Sequence, residues 1–139
     1  MARFGRSSLS RLDQLHPDLK KVLNVAIKER DFTIIEGHRD KQAQDHYFNT
    51  KKSNLMWPQS KHNKVPSLAV DVAPWFREKP HIRWSDIEAF RALGNYIIGV
   101  AAGLDIKIRW GGDWAMNLGV NWDYSDQSFI DLPHLELVE

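Results

Sequence analysis

Leu15, Leu19, Val22, Leu23 and Ala26 fall three and four residues apart, the spacing that lines apolar side chains along one stripe of a helix. His16-Pro17-Asp18 opens this helix, with Pro17 in the first turn, where its missing N–H costs nothing, and the pattern runs to about Lys28. Phe32-Thr33-Ile34-Ile35 has the β-branched and aromatic character of a short strand, ended by Gly37. Arg39 to Tyr47 predicts a second helix with Ala43 and Tyr47 turned inward. Residues 49–67 are rich in Asn, Lys, Ser and Pro and poor in apolar positions. They read as a long loop, and a loop of that length inside a small domain is usually functional.

From Ser67 to Val72 the alternation is that of a strand, stopped by Pro74. Ser85-Asp86-Ile87-Glu88 has the capping-box pattern and opens a helix whose Ile87, Phe90, Ile97 and Ala101 share a face, with Gly103 as its C-terminal stop. Leu104 to Trp110 reads as a strand turned by Gly111-Gly112, and Leu135 to Val138 as the last strand. Helices and strands are mixed, and short connections such as Gly111-Gly112 favour antiparallel pairing. The expected class is α+β: a small antiparallel sheet packed with about three helices, residues 1–139 forming a single domain. A chain of 139 residues suits one core, and it shows no internal repeat, coiled coil or linker.

Composition narrows the chemistry. With 42% hydrophobic and 27% charged residues the chain is an ordinary folded protein, and its net charge of +1 gives no global attraction to nucleic acid or membrane. Charge is uneven: residues 1–30 hold seven Lys/Arg against three acids, which suits a solvated helix face or a surface for an anionic polymer. There is no cysteine, so any metal must be held by histidine and carboxylate. The start lacks an apolar signal-peptide region, and no run approaches about 18 apolar residues. Neither an export signal nor a membrane anchor is expected.

The chemistry concentrates in Ser60-Lys61-His62-Asn63-Lys64-Val65-Pro66-Ser67-Leu68-Ala69-Val70-Asp71 and in Asp131-Leu132-Pro133-His134. Strand alternation puts Ala69 and Asp71 on one face and Val70 and Val72 on the other. His62 can swing back across its loop to meet Asp71. Pro133 cannot donate to a ladder and favours a break there, which lets Asp131 and His134 reach one site. His134 and Glu136 share a face, with Leu135 and Leu137 toward the core. Two histidines and a carboxylate can supply three ligands to Zn²⁺ and leave a fourth position to water. Asp131 stands close enough to handle that water's protons, which completes the parts of a metal-assisted hydrolase.

These segments resemble the zinc D,D- and L,D-type peptidases of bacterial cell walls, a family that includes D-alanyl-D-alanine peptidases of vancomycin resistance and L-alanyl-D-glutamate endolysins of phages. Its signature, Ser-x-His-x-x-Gly-x-Ala-x-Asp followed downstream by acid-x-x-His, is matched by Ser60, His62, Ala69, Asp71, Asp131 and His134. The resemblance implies that His62, Asp71 and His134 bind Zn²⁺ in a cleft on the sheet and that Asp131 is the general base and acid. An aspartate in that role looks more like the endolysin branch. Gly37-His38-Arg39 with Gln44 is similar to the family's Gly-aromatic-Arg segment and later Gln, which implies that Arg39 faces the polarised carbonyl. Arg109-Trp110-Gly111-Gly112-Asp113-Trp114 is similar to a Trp-Gly-Gly-Asp-Trp turn near the active site. Ser60, Gln44 and Trp114 are then substrate-binding candidates. Trp110 reads as core, while Trp57 and Trp114 fit either a cleft wall or a core. The chain departs from the pattern in two ways. Two extra residues separate His62 from the Ala-x-Asp, with Ser67 where the short signature has Gly, and His38 is polar, its role open.

The resemblance covers about residues 15–138 and implies a phage-type endolysin, one metallopeptidase domain that hydrolyses peptidoglycan stem peptides at the L-Ala–D-Glu bond. A monomer is expected, held in the host cytoplasm until a separate holin-like pore releases it onto the wall, with no nucleic-acid partner. The rival enzymatic reading is a D-Ala-D-Ala carboxypeptidase of wall remodelling. A third is a non-catalytic zinc-binding module of the hedgehog-like fold, against which the extra acid Asp131 argues.

Overall fold

The computed structural model describes residues 2–114, 116 and 131–138. In chain order the elements are α1 (Arg6–Leu12), α2 (Pro17–Ala26), β1 (Phe32–Glu36), α3 (Lys41–Asn49), a 3-10 turn (Lys61–Asn63), β2 (Ala69–Pro74), α4 (Ile87–Gly103), β3 (Ile108–Trp110) and β4 (His134–Leu137). The strands form one sheet in the order β1-β2-β4-β3, every neighbouring pair antiparallel. The α+β expectation holds, with four α-helices among the described residues rather than about three.

The additional helix, α1, carries too few apolar residues to show a stripe. It is tied to the sheet by hydrogen bonds instead. Ser8 Oγ accepts from the Ile34 N–H at 3.0 Å and Arg11 Nη1 donates to the Ile34 carbonyl at 3.0 Å. Ile34 lies on an edge strand, so α1 satisfies backbone groups that would otherwise be open to another chain.

One face of the sheet is the core. Val70, Val72, Leu135, Leu137, Ile108 and Trp110 meet Leu19, Val22, Leu23 and Ala26 of α2 and Leu93, Ile97 and Ala101 of α4. All are 7% exposed or less, and each large aliphatic contributes about 1.5–3 kcal/mol by leaving water. The Trp110 indole is the largest buried group. It lies between Gly94 of α4 and Gly112, where a Cβ at either glycine would run into the ring, and its Nε1–H donates to the Leu132 carbonyl at 2.7 Å. Trp110 therefore reads as core, as expected, and it also pins the chain just before β4.

The opposite face carries Ala69, Asp71, His134, Glu136 and Arg109, since Asp71 is paired with His134 and Glu136 with both Ala69 and Arg109. β1 contributes to this face through an irregularity. Ile34 opposes Val72 in the core, yet Glu36 opposes Asp71, because a bulge between them shifts the register. A bulge turns the next side chains to the other side of the sheet, and here it delivers Glu36 to the site.

Several boundaries differ from the sequence pattern for local reasons. α3 begins after Asp40, whose side chain accepts from the Ala43 N–H, and it buries Gln44 rather than Ala43 and Tyr47, which are only half-buried. α4 is capped by Asp86, not Ser85, with Asp86 Oδ1 accepting from Ala89 N–H at 3.1 Å; Ile87 is then 49% exposed while Phe90, Ile97 and Ala101 stay inside. Its end is set by Asp105, not by Gly103. Asp105 takes φ 60°, and the N–H groups of Asp105 and Ile106 return to the carbonyls of Ala102 and Ala101, a left-handed closure that Asp tolerates. This reversal shortens the expected Leu104–Trp110 strand to Ile108–Trp110. β2 runs on through Pro74 and β4 ends at Leu137.

Gly94→Ala is expected to lower the unfolding free energy by about 1–3 kcal/mol, the usual cost of overpacking a filled core. Chemical denaturation checks it, through a lower midpoint at unchanged m-value.

Candidate active site

β2 and β4 are neighbours, and Asp71 is in direct register with His134. His62 arrives from the 3-10 turn. Its N–H is accepted by the Ser60 side chain at 3.2 Å, and Asn63 Oδ1 accepts from the Ser60 N–H in return. The Arg39 N–H donates to the His62 carbonyl at 2.8 Å, so the turn is locked to the chain entering α3. The two extra residues of the following loop bulge outward, with Val65 83% exposed, before the Leu68 N–H returns to the Lys61 carbonyl. The longer loop thus closes on the same site.

These elements bring three ligand atoms together. His62 Nε2 lies 3.2 Å from Asp71 Oδ1 and 3.3 Å from His134 Nδ1, and His134 Nδ1 lies 3.2 Å from Asp71 Oδ1. A tetrahedral ion with ligands at about 2.0 Å has ligand–ligand edges of about 3.3 Å. The triangle is therefore one face of such a tetrahedron, and His62, Asp71 and His134 form a group that could hold a metal ion.

The outer atoms of both rings fix their tautomers. His62 Nδ1 is 2.8 Å from the Gly37 carbonyl, which can only accept, so Nδ1 carries the hydrogen and Nε2 presents a lone pair. His134 Nε2 is 2.8 Å from Glu136 Oε1, which leaves Nδ1 to face the centre. Second partners of this kind orient metal-binding histidines and raise their basicity. Glu136 is itself buried and held by Arg109 Nη2 at 2.7 Å and Lys61 Nζ at 3.3 Å.

The charges agree with this picture. Burial would raise the Asp71 carboxyl, but His62 and then His134 outweigh it and hold it well below the usual carboxylate range. Burial opposes a charge on His134, yet hydrogen bonds to Asp71 and Glu136 carry its pKa from 6.5 to about 9. Glu136, also opposed by burial, is carried down to about 2 by His134 and Arg109. The centre demands a positive charge, supplied by a proton or by a metal ion.

A cleft of about 400 Å³ opens over the triangle, and Asp131, Arg39, Ser60 and Trp114 line it with the two histidines. Asp131 precedes β4, and the turn from Asp131 to His134 closes with the His134 N–H on the Asp131 carbonyl at 3.1 Å. This break lets Asp131 and His134 line one cleft, as the Pro133 reading anticipated. Gly111 fastens the turn, donating to the His134 carbonyl and accepting from the Asp131 N–H, and a Cβ there would strike the Asp131 carbonyl. Burial first, then the Asp71 charge, push the Asp131 carboxyl up, the direction that makes a carboxylate a better proton acceptor. Arg39 reaches the cleft with Nε and Nη2 on Glu36 at 2.8 and 3.0 Å and Nη2 3.9 Å from Asp71 Oδ2. The Trp114 ring centroid is 5.4 Å from that of His134.

Two substrate-binding candidates are placed differently from expectation. Gln44 is fully buried and does not line the cleft. Its Oε1 accepts from Arg39 Nη1 and Asn63 Nδ2, and its Nε2 donates to Ser53 Oγ and the Leu55 carbonyl, so its hydrogen-bonding capacity is used within the protein. It braces Arg39 instead of meeting substrate. Ser60 lines the cleft, but its hydroxyl is occupied in capping the His62 turn. Trp57 is not among the cleft-lining residues, and His38 is held through its N–H by Gln14 Oε1, also away from the cleft lining. Sequence reasoning missed Glu36, Glu136, Lys61 and Arg109 as supports. Only Glu136 left a signal, two residues beyond His134 on one strand face.

The family model of the phage L-alanyl-D-glutamate peptidases matches residues 1–138. The L-alanyl-D-glutamate peptidase of Escherichia phage T5 is 33% identical over 141 residues, covering 98% of this chain and 98% of that protein. The crystal structure of the Serratia marcescens L-Ala D-Glu endopeptidase ChiX superposes with a TM-score of 0.76, at 22% identity, over 98% of this chain and 90% of that one, a likeness of fold. A match that spans the ligand triangle, Asp131 and the turn that joins them leaves one assignment: the chain belongs to the phage L-alanyl-D-glutamate peptidase family.

Proposed function

We propose that this peptidase is a zinc-dependent endolysin, one domain over residues 1–139, that cuts the L-Ala–D-Glu bond of peptidoglycan stems. The observation that carries the reading is the triangle itself: three ligand atoms 3.2–3.3 Å apart, each ring with its outer nitrogen already engaged. Imidazole and carboxylate ligands without thiolate suit Zn²⁺ in its catalytic, three-ligand form. Zinc held by His62, Asp71 and His134 would supply Lewis-acid polarisation to the scissile carbonyl and to a water.

The chain's own residues divide the remaining work. Asp131 accepts the proton of the attacking water and returns it to the leaving amine. Arg39 keeps N–H groups on Nη1 and Nη2 beyond those bound to Glu36 and Gln44, and these can meet the negative charge that develops on the carbonyl oxygen. Glu36 and Gln44 hold the guanidinium so that no reorganisation is needed in the transition state. Trp114 forms a wall of the cleft beside His134. Among the described residues no helix is long and apolar enough to cross a membrane. A monomer that waits in the host cytoplasm and reaches the wall through a separate holin-like pore fits the family's lytic role.

The zinc assignment predicts one Zn²⁺ per chain, absent from His134→Ala, as read by elemental analysis of the folded variant. Asp131→Asn is expected to keep its zinc and lose about 10²–10⁴-fold in hydrolysis; full activity would move the base elsewhere.

Metal binding should also depend on pH. With its pKa raised from 6.5 to about 9, His134 is protonated in the metal-free protein at pH 7, so zinc must displace that proton. Calorimetry in buffers of different ionisation enthalpy is expected to show about one proton released per zinc at pH 7, with affinity rising toward pH 9. The sign for stability is the reverse. The protonated pair stabilises the metal-free fold fully below about pH 6.5, and this is lost as pH rises through about 9.

Mass spectrometry of digested murein identifies the bond. New termini at L-Ala carboxyl and D-Glu amine, with glycan strands intact, are expected. Release of D-Ala alone would instead make the enzyme a carboxypeptidase.

A further inference from the structure

Asp131 lines a second recess besides the reactive cleft. It measures about 230 Å³, and its other walls are Trp84, Phe90, Leu132 and Pro133. The two hollows differ in chemistry. Lys52, Lys61 and Arg109 line the cleft, whereas in the recess Asp131 supplies the charge and a broad aromatic surface is the main feature.

Trp84 is 58% exposed, yet its orientation is built. Its ring stacks on Phe90 with centroids 5.9 Å apart and planes 24° from parallel. Phe90 is 3% exposed and sits in the first turn of α4, which Asp86 caps. The loop before Trp84 is braced by Arg83, whose Nε and Nη2 donate to the carbonyls of Pro80 and Glu78. A flat indole so presented offers an apolar face at a wet rim, which complements a ligand with an apolar face and a polar edge.

We infer that the Trp84–Phe90 recess is a saccharide subsite, taking the N-acetylmuramyl ring that bears the stem peptide. This rests on the peptidoglycan-peptidase reading and adds a direction to it. A pyranose ring has one face of C–H groups and a rim of hydroxyls, the complement of a stacked indole. In the substrate, the L-alanyl residue and a lactyl ether separate the scissile carbonyl from the sugar. Those are two residue-sized units, about 7 Å when extended. Asp131 forms a wall of both hollows, so the recess adjoins the cleft, as a short link between carbonyl and sugar requires. The stem then runs the other way, along the lysine and arginine walls, where the carboxylates beyond the cut bond meet positive charge.

The test uses the zinc-loaded full-length enzyme with two soluble substrates, a disaccharide tetrapeptide and the same tetrapeptide without sugar. The readout is the ratio of their kcat/KM values. The wild type is expected to prefer the sugar-bearing substrate, and Trp84→Ala to lower the ratio about tenfold, chiefly through KM, as loss of one stacking contact would. Trp84→Phe should restore most of it. In parallel, N-acetylmuramyl-L-alanine is titrated while NMR follows the indole N–H signal that Trp84→Phe removes. That signal is expected to shift, and to stay still with L-alanine alone. An unchanged ratio in Trp84→Ala, or a motionless signal, overturns the subsite. If the wild type cleaves both substrates without such discrimination, the peptidase reading survives and the subsite falls; if it cleaves neither, the peptidase reading falls first.

Discussion

Three lone pairs held 3.2–3.3 Å apart repel one another unless a cation stands among them, and much of this fold serves to hold them there. Asp71 and His134 come from neighbouring strands in direct register, so the sheet ladder fixes their separation. His62 comes from a loop, which is inherently less constrained, and it is accordingly tied at four points: its ring to Gly37, its N–H to Ser60, its carbonyl to Arg39, and its neighbour Asn63 to the Arg39 carbonyl and Gln44. The geometry is set before any ion arrives, with the proton of His134 standing in for the cation. That is preorganisation in the sense required of a metal site.

A second constraint carries Asp131 to the same place. Trp110 passes between two glycines, Gly94 on α4 and Gly112 in the following turn, and reaches the Leu132 carbonyl. Gly111 pairs with both Asp131 and His134. The Trp-Gly-Gly sequence is thus a packing device. The first residue fills the core beneath the turn, Gly112 leaves room for its ring, and Gly111 removes the Cβ that would push Asp131 away. The core face and the reactive face of the sheet are coupled through these few contacts, so a loss of packing at α4 is transmitted to the position of Asp131.

The amphipathic helix from Pro17 and the strand that carries Asp71 were legible because their periodicity is strong and the residues of the predicted stripe are buried. The grouping of His62, Asp71 and His134 was legible because His and Asp at those spacings match a known signature. What escaped was carried by hydrogen bonds or by conformation. α1 is anchored by Ser8 and Arg11, residues that give no apolar stripe. Asp105 takes a positive φ where Gly103 looked the better stop. The bulge that turns Glu36 toward Arg39 leaves no mark on an alternating β-branched run. Gln44 was expected at the substrate but its amide is turned to the interior, because a motif shows that a residue type stands in a place, not which way its amide faces.

The two aspartates of the site illustrate how one side chain takes two parts. Asp71 and Asp131 are both largely withdrawn from water, and burial raises both. Asp71 lies against His62 and His134, whose attraction and hydrogen bonds reverse the effect and keep it ionised. Asp131 receives less from those rings and from Arg39, and Asp71's own charge pushes it further up. Asp71 thereby raises the proton affinity of its neighbour. A cation bound at the triangle would offset part of that repulsion, which couples the proton affinity of Asp131 to metal occupancy. Environments that separate the pKa values of paired carboxylates also separate their roles, and here the division comes from position alone: Asp71 in register with His134 on the sheet, Asp131 on the turn that Gly111 holds beside it.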